Sequence, residues 1–267
     1  MACRREHWSR RRDHGLRLPS PGLPADAKTV VVATAQSLRE QVASACRILA
    51  LEGYTDLTLG HVSGRDGSTV YIKRKGVALD ETESEDVISF ELDDEHALGS
   101  PEMHLEAVLH TEVYRARPDV GAVVHGHPPY ATALAATAAR LELLTHDAVL
   151  FVDGLSVFDE TAELITEPAQ GHAVARALGD RPAILLRNHG VLAVGKDVAW
   201  AVLAACTLER AARLQAIAAT LGELRPIDEE VARRMFPAKY HDRLVREYWQ
   251  AWLRKLGRSG DDVSPAS

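Results

Sequence analysis

The chain has 267 residues, 46% hydrophobic and 26% charged, the balance of an ordinary globular protein and not of a disordered, collagenous or low-complexity one. Its net charge of −7 repels a phosphate backbone and argues against a nucleic-acid partner. No run reaches the roughly 18 apolar residues that span a bilayer, and three cysteines at positions 3, 46 and 206 supply neither a disulfide framework nor a zinc ribbon, a usage that fits a reducing, cytoplasmic compartment.

Residues 1–28 carry Arg4, Arg5, Arg10, Arg11, Arg12 and Arg17 with no apolar stretch after them, are interrupted by Glu6 and Asp13, and run into Pro19, Pro21 and Pro24. They read as a solvated, poorly ordered extension and not a secretory signal. Residues 29–257 read as one α/β domain and 258–267 as a polar tail. From Thr29 to Leu51 the apolar positions recur at helical spacing and stop at Gly53. Thr58–Ser63 and Thr69–Ile72 suggest a hairpin around Gly64-Arg65-Asp66-Gly67, and Val77–Leu79 and Val87–Leu92 are further strand-like pieces. Ser100-Pro101 predicts the start of a helix, with Leu105, Leu109 and Val113 on its buried face. Pro118 ends it, and Val120–Val124 has the short apolar run of a strand covered on both faces.

The Ala-rich stretch Tyr130–Leu144 and the piece Ala173–Leu178 are helical by propensity. Ala183–Leu186 and Val191–Val194 are strands, and Asp197 caps a long helix that Gly222 closes. A C-terminal amphipathic helix carries Tyr240, Tyr248 and Trp252. Interspersed helices and strands, without a repeat or a dividing linker, imply a central sheet covered by helices.

His125 and His127 leave a predicted strand at spacing i, i+2 and so share a side, roughly 6 to 7 Å apart at Cα, near enough for two imidazoles to share one metal ion. A bare His-x-His is more often a pair of polar turn residues. His189, however, also sits at the end of a predicted strand, where catalytic groups of α/β sheets gather. Three imidazoles leave a divalent ion with its full charge and an open position. Glu102, in the first turn of the helix predicted from Ser100, either complements the helix dipole or serves as a fourth ligand and proton carrier. Lys73, Arg74 and Lys75 are candidates for holding a substrate carboxylate, although a solvated strand end accounts for at least two of the three. His104, His110 and His146 read as surface or packing histidines, and Cys46 and Cys206 as buried, inert thiols.

The segments Gly60-His61-Val62-Ser63 and Ser100-Pro101-Glu102, with the runs RPDVGAVVHGHPPYATALA and LLRNHGVLAVGKDVAWA, resemble the class II aldolase/adducin family. The resemblance implies a three-layer α/β/α fold with a central mixed or antiparallel sheet, usually assembled as a homotetramer with active sites between subunits. It implies His125, His127, His189 and Glu102 as ligands of one divalent ion, zinc or manganese first, cobalt or iron as alternatives, with Glu102 also the acid/base. His61, Ser63, Lys75, Ser100 and Tyr240 are the implied substrate-binding residues. Where sugar-phosphate members carry Gly-Asn, this chain has Gly60-His61, and where they carry a Ser-Ser pair before the catalytic Glu it has Pro101. The runs IKRKGVALDE and LTHDAVLF look closer to members that decarboxylate hydroxylated aromatic acids, such as pyridine-dicarboxylate and dihydroxyphthalate decarboxylases.

Aldol cleavage and decarboxylation both leave an electron pair on carbon beside an oxygen that a metal can hold, so one site serves either. The expectation is a metal-dependent carbon-carbon lyase acting on a small hydroxy-carbonyl or hydroxylated carboxylate, with no nucleic-acid or membrane partner. Alternatives are a sugar-phosphate aldolase or epimerase, an Fe(II)-dependent oxidative decarboxylase, and an adducin-like scaffold without catalysis.

Overall fold

Alternation along the strands divides the core into two layers. The computed structural model describes residues 37–94 and 96–261. Its strands β1 (His61–Asp66), β2 (Thr69–Lys73), β3 (Val87–Glu91), β4 (Ala122–Gly126), β5 (Ser156–Phe158), β6 (Ala183–Leu186) and β7 (Gly190–Gly195) form one sheet in the order β3-β2-β1-β4-β7-β6-β5. Neighbours are antiparallel except β5 with β6, so the sheet is mixed. Side chains alternate faces along a strand. Val62, Ala122, Val124, Val191 and Ala193 therefore pack in one apolar cluster, and Val123, Ile184, Leu192 and Val194 in another.

Helices α1 (Leu38–Leu51), α5 (Val198–Leu221) and α7 (Asp242–Asp261) cover the first face, and α2 (Val108–Ala116) and α4 (Pro168–Leu178) the second. That is the α/β/α layering, and it explains why the central strands are uninterrupted apolar runs. Helix α1 starts at a capping box, Ser37 Oγ accepting from Glu40 N–H while Glu40 accepts from Ser37 N–H. Asp197 Oδ1 accepts from Trp200 N–H at 2.9 Å and starts α5, and Gly222, with φ +156°, follows its last turn. Helix α3 (Pro129–Ala135) begins at Pro128, which has no capping side chain. Glu209 of α5 supplies the acceptor, taking N–H bonds from Tyr130 and Ala131 at 3.0 and 2.8 Å.

Several elements differ from the sequence expectation. The basic stretch 1–28 and the expected helical start at Thr29 lie outside the described residues; the described helix begins at Leu38. The β1–β2 turn falls at Gly67-Ser68, beyond the Asp66–Thr69 pair, because Gly64 and Arg65 are still paired in the ladder. Val77–Leu79 is buried but not a strand. No helix starts at Ser100: the chain passes through a turn and a single 3₁₀ turn, Leu105–Ala107, before α2 begins at Val108. Leu109 and Val113 are buried as expected, whereas Leu105 is 61% exposed.

Helix α3 stops at Ala135, and the irregular segment after it is tied down by Gln215 of α5, which accepts from Glu142 N–H and donates to the Arg140 carbonyl. The C-terminal region is two helices, α6 (Glu229–Lys239) and α7, with Tyr240 at the break. Helix α7 runs to Asp261, so the region expected as a tail from 258 begins inside a helix.

Candidate metal centre

His125 sits near the end of β4, on the face that carries Val123, and pairs directly opposite His61 of β1. His127 follows two residues later. His189 belongs to the three-residue connection between β6 and β7, closed by the pair Leu186 with Gly190. Asn188, with φ 54°, takes the left-handed conformation that this tight reversal needs and that Asn tolerates. One ligand atom from each of the three histidines lies within 4.8 Å of the others.

Two tautomers are set by neighbours. His125 Nδ1–H donates to the Val191 carbonyl at 2.9 Å. His127 Nδ1–H donates to Asp56 Oδ1 at 2.6 Å, and the same oxygen accepts from His127 N–H at 2.8 Å. In each ring Nε2 keeps its lone pair, the arrangement that orients imidazole ligands in metal sites. The glycines beside the histidines permit this closeness. A Cβ on Gly126 would lie 2.9 Å from Asp56 Oδ2, and one on Gly190 would lie 2.6 Å from the Gly126 carbonyl and 2.7 Å from His127 Cδ2.

The carboxylate at this cluster is Glu106, not Glu102. Glu106 Oε2 lies 3.5 Å from His125 Nε2 and 3.4 Å from His189 Nε2, while Oε1 accepts from Ile165 N–H at 2.9 Å. Glu102 is exposed in the turn before the 3₁₀ segment, where its carbonyl accepts from Lys75 N–H. The expectation failed because it started the helix at Ser100. A usable signal was present: Glu106, Leu109, His110 and Val113 form one helical stripe, and an acid on a buried stripe requires a partner. Asp56 was missed too, and its spacing from His127 in the chain carries no local signal.

Burial acts to raise the Glu106 carboxyl, but its contacts with His125 and His189 outweigh burial and hold it well below the usual carboxylate range. Burial also lowers the His125 imidazole, more than Glu106 raises it. A neutral imidazole is no cation, so these two tendencies do not make an ordinary ion pair at neutral pH. His125 Nε2 and His189 Nε2 are buried and have no hydrogen-bond partner, and the Glu106 contacts are too long to supply one of normal strength. Imidazole nitrogens with free lone pairs, converging with a carboxylate oxygen, are the donor set of a divalent transition metal. The residues present fit such an ion.

A cavity of about 290 Å³ opens on the cluster, lined among others by His61, Lys75, His104, Glu106, His127 and His189, with Leu59, Leu105 and Leu164 as apolar walls. Of the expected substrate-binding residues, the fold brings His61 and Lys75 to this cavity. Ser63 is fully buried behind His61. Ser100 lies in the same turn as Glu102, its Oγ accepting from Glu102 N–H. Tyr240 is buried elsewhere in its own chain, its hydroxyl donating to the Asp147 carbonyl at 2.9 Å. His104 and His110, expected as surface or packing residues, are both buried, and His104 reaches the cavity.

Lys73 is no solvated strand end. It is fully buried, donating to the carbonyls of Thr58 and Arg74 and to His104 Nε2. Arg74 instead pairs with Asp86. The Cys46 and Cys206 thiols are buried, and desolvation pushes Cys46 up to about 12. A larger cleft of about 590 Å³, lined by Arg117, Asp153, Arg181 and Trp200, carries none of these histidines.

A mixed sheet between two helical layers, with three histidines at its strand ends and the glutamate of the 3₁₀ turn before α2 facing them, defines an α/β protein with a preformed candidate metal centre. The sequence matches the family described as class II aldolase and adducin N-terminal domain over residues 40–216, and the chain belongs to that family. It is 35% identical over 192 residues to a 3,4-dihydroxyphthalate decarboxylase of Arthrobacter keyseri, covering 66% of this chain and 76% of that protein. It is 39% identical over 125 residues to a 4-hydroxy-3-prenylphenylpyruvate oxygenase/4-hydroxy-3-prenylbenzoate synthase of Streptomyces roseochromogenus subsp. oscitans; the match covers 47% of this chain and 45% of that protein, so the chain spans less than half of that relative's length. Its fold resembles the L-fuculose 1-phosphate aldolase of Glaciozyma antarctica PI12 with a TM-score of 0.71 and 27% identity, covering 83% of this chain and 90% of that one. Among the described residues no helix is long and apolar enough to cross a membrane.

Proposed function

We propose that the protein is a divalent-metal-dependent carbon-carbon lyase that removes carbon dioxide from a small hydroxylated aromatic acid. His125, His127 and His189 are the metal ligands in this reading, and Glu106 is the carboxylate that shares the ion and carries the proton. The observation that supports it most is the pair of buried, unpartnered Nε2 atoms of His125 and His189 facing Glu106. A bound zinc or manganese ion supplies a Lewis acid there, drawing electron density toward an oxygen of the substrate.

The chain's own residues do the rest. The Val191 carbonyl and Asp56 hold two of the imidazoles in one tautomer and orientation. Glu106, a carboxylate at the start, takes the proton of the substrate hydroxyl; when the substrate carboxylate leaves as carbon dioxide, the carbon it leaves keeps the bonding pair, and Glu106 returns the proton to it. Leu59, Leu105 and Leu164 offer apolar walls that suit an aromatic ring, and the Lys75 ammonium at the rim offers a counter-charge to a second anionic group. A sugar phosphate, polar on every side, is matched less well by three leucines. Similarity to the Arthrobacter keyseri decarboxylase points the same way.

Homotetrameric assembly belongs to the same reading. Leu59, Leu105 and Leu164 line the cavity yet are 65%, 61% and 55% exposed, a rim of the kind that a second subunit covers.

The test is metal analysis of the purified protein, followed by assays of the zinc- and manganese-loaded forms. Carbon dioxide release from 3,4-dihydroxyphthalate and aldehyde release from L-fuculose 1-phosphate are followed beside dissolved oxygen. Carbon dioxide release without oxygen uptake is expected. Aldehyde release alone would move the assignment to the sugar-phosphate aldolases. A strict need for dioxygen, which the similarity to a Streptomyces oxygenase makes the second reading, would overturn the lyase assignment. A protein that takes up no divalent metal would leave the scaffold reading in its place.

A further inference from the structure

Behind the cavity wall a chain of four buried side chains runs from Tyr114 to His61. Tyr114 OH lies 2.7 Å from Ser63 Oγ, Ser63 Oγ lies 2.6 Å from His110 Nδ1, and His110 Nε2 lies 2.7 Å from His61 Nδ1. All four residues are at most 2% exposed, so the three hydrogen bonds that join them are closed to bulk water. The direction of every bond follows from one end. A buried phenol O–H requires an acceptor, and Ser63 Oγ is the hydrogen-bonding atom beside the Tyr114 hydroxyl. Ser63 therefore accepts from Tyr114 and donates its own hydrogen to His110 Nδ1. With Nδ1 accepting, His110 carries its proton on Nε2. Two nitrogens 2.7 Å apart hold a single proton between them, so His61 Nδ1 accepts, and the one proton of the His61 ring stands on Nε2.

We infer that His61 presents a fixed Nε2–H donor to the cavity, its tautomer set by the chain from Tyr114 through Ser63 and His110, and that it binds a carboxylate oxygen of the ligand. His61 lines the cavity and its Nδ1 is consumed, so Nε2 is the nitrogen left for a ligand. The neighbouring ring is already used: His104, at 4.3 Å between centroids, accepts from Lys73 Nζ. Lys73 spends its N–H groups on the Thr58 and Arg74 carbonyls and on His104, and the Asp86 and Asp56 carboxylates act on it only through space, so an ammonium stands behind this wall of the cavity. Lys75 adds a second ammonium at the rim. A donor edge backed by cations suits an anionic acceptor and repels a ligand that offers only donors. His61 is then a binding residue, and Tyr114, Ser63 and His110 are positioning residues that act through it. The inference does not depend on the reaction proposed above.

The test is the imidazole nitrogen spectrum of the full-length, ¹⁵N-labelled protein at pH 7, with His61 assigned by its loss in His61→Phe. A protonated-type Nε2 shift and an acceptor-type Nδ1 shift are expected. The reverse pattern, or two protonated nitrogens, overturns the assignment whether or not the protein decarboxylates anything. In Tyr114→Phe the anchor is gone and the His61 shifts should move toward the average of both tautomers; unchanged shifts would remove Tyr114 from its positioning role. Phthalate is the binding probe for the zinc-loaded protein. His61→Phe should weaken it about tenfold, the loss of one hydrogen bond to a charged group, while His61→Gln, which keeps an N–H, should retain more of the affinity. Equal losses, or no binding of phthalate by the unsubstituted protein, would overturn the carboxylate as the group recognised.

Discussion

Glu106 and Glu102 stand four positions apart and meet different surroundings. Glu106 faces two imidazoles and accepts from a backbone N–H, whereas Glu102 faces water. Glu106→Gln should therefore lower turnover by about 10² to 10⁴, the usual contribution of a positioned proton carrier, with circular dichroism unchanged; Glu102→Gln should leave turnover near that of the unsubstituted protein. The reverse ranking in one kinetic assay would return the role to Glu102. Asp56 acts one bond further out, through His127 Nδ1. Asp56→Asn keeps the shape and removes the charge, and zinc affinity measured by competition with a chelator should fall roughly 10- to 100-fold. An unchanged affinity would make the Asp56 contact a packing feature only.

Elements were legible in the sequence where independent local signals coincided. For α5, an acidic cap at Asp197, a long apolar run and a closing glycine all agreed, and both ends fell where expected. Asp197→Ala should cost about 1 kcal/mol, the ordinary worth of an N-cap, read as a lower urea midpoint with an unchanged slope; no shift in midpoint would show that tertiary packing alone starts the helix. Strand β6 was legible to both ends and β4 to within two residues, because strands buried on both faces are short unbroken apolar runs; β4 runs on to Gly126, so His125 lies inside the strand and not past its end. The segment before α2 was misread because Ser-Pro is a strong helix-start signal, and nothing local says that the chain turns twice more first. That shift of phase is what exchanged one glutamate for the other. Asp56 and the His61–His110 contact depend on pairings 71 and 49 residues apart in the chain. Local periodicity carries no information about partners at that distance.

Across the whole molecule, the polar interior makes stability depend on pH. Burial is the main cause that lowers the imidazoles of His61, His104 and His110, and His104 is pushed down from 6.5 to about 3. In the unfolded chain the same rings take protons near pH 6.5. Below that value the unfolded state binds more protons than the folded one, so stability is complete above pH 6.5 and falls as the pH drops toward about 3. Each ring contributes a slope of about 1.4 kcal/mol per pH unit within that window. Urea titrations of metal-free protein between pH 7 and 4.5 should show the midpoint falling steadily. A flat midpoint would mean that these rings are already protonated in the folded state.

Gly126 and Gly190 have no side-chain atom to offer a metal, a substrate or a proton. Because a methyl group at 190 would press on the peptide oxygen beneath it and on the ring of His127, Gly190→Ala should cost the protein its zinc while leaving most of its helical signal in place. A survey of inactive variants would thus return two residues with nothing to give a substrate or a proton, and would overcount the working groups by the number of places where emptiness is what the machinery needs.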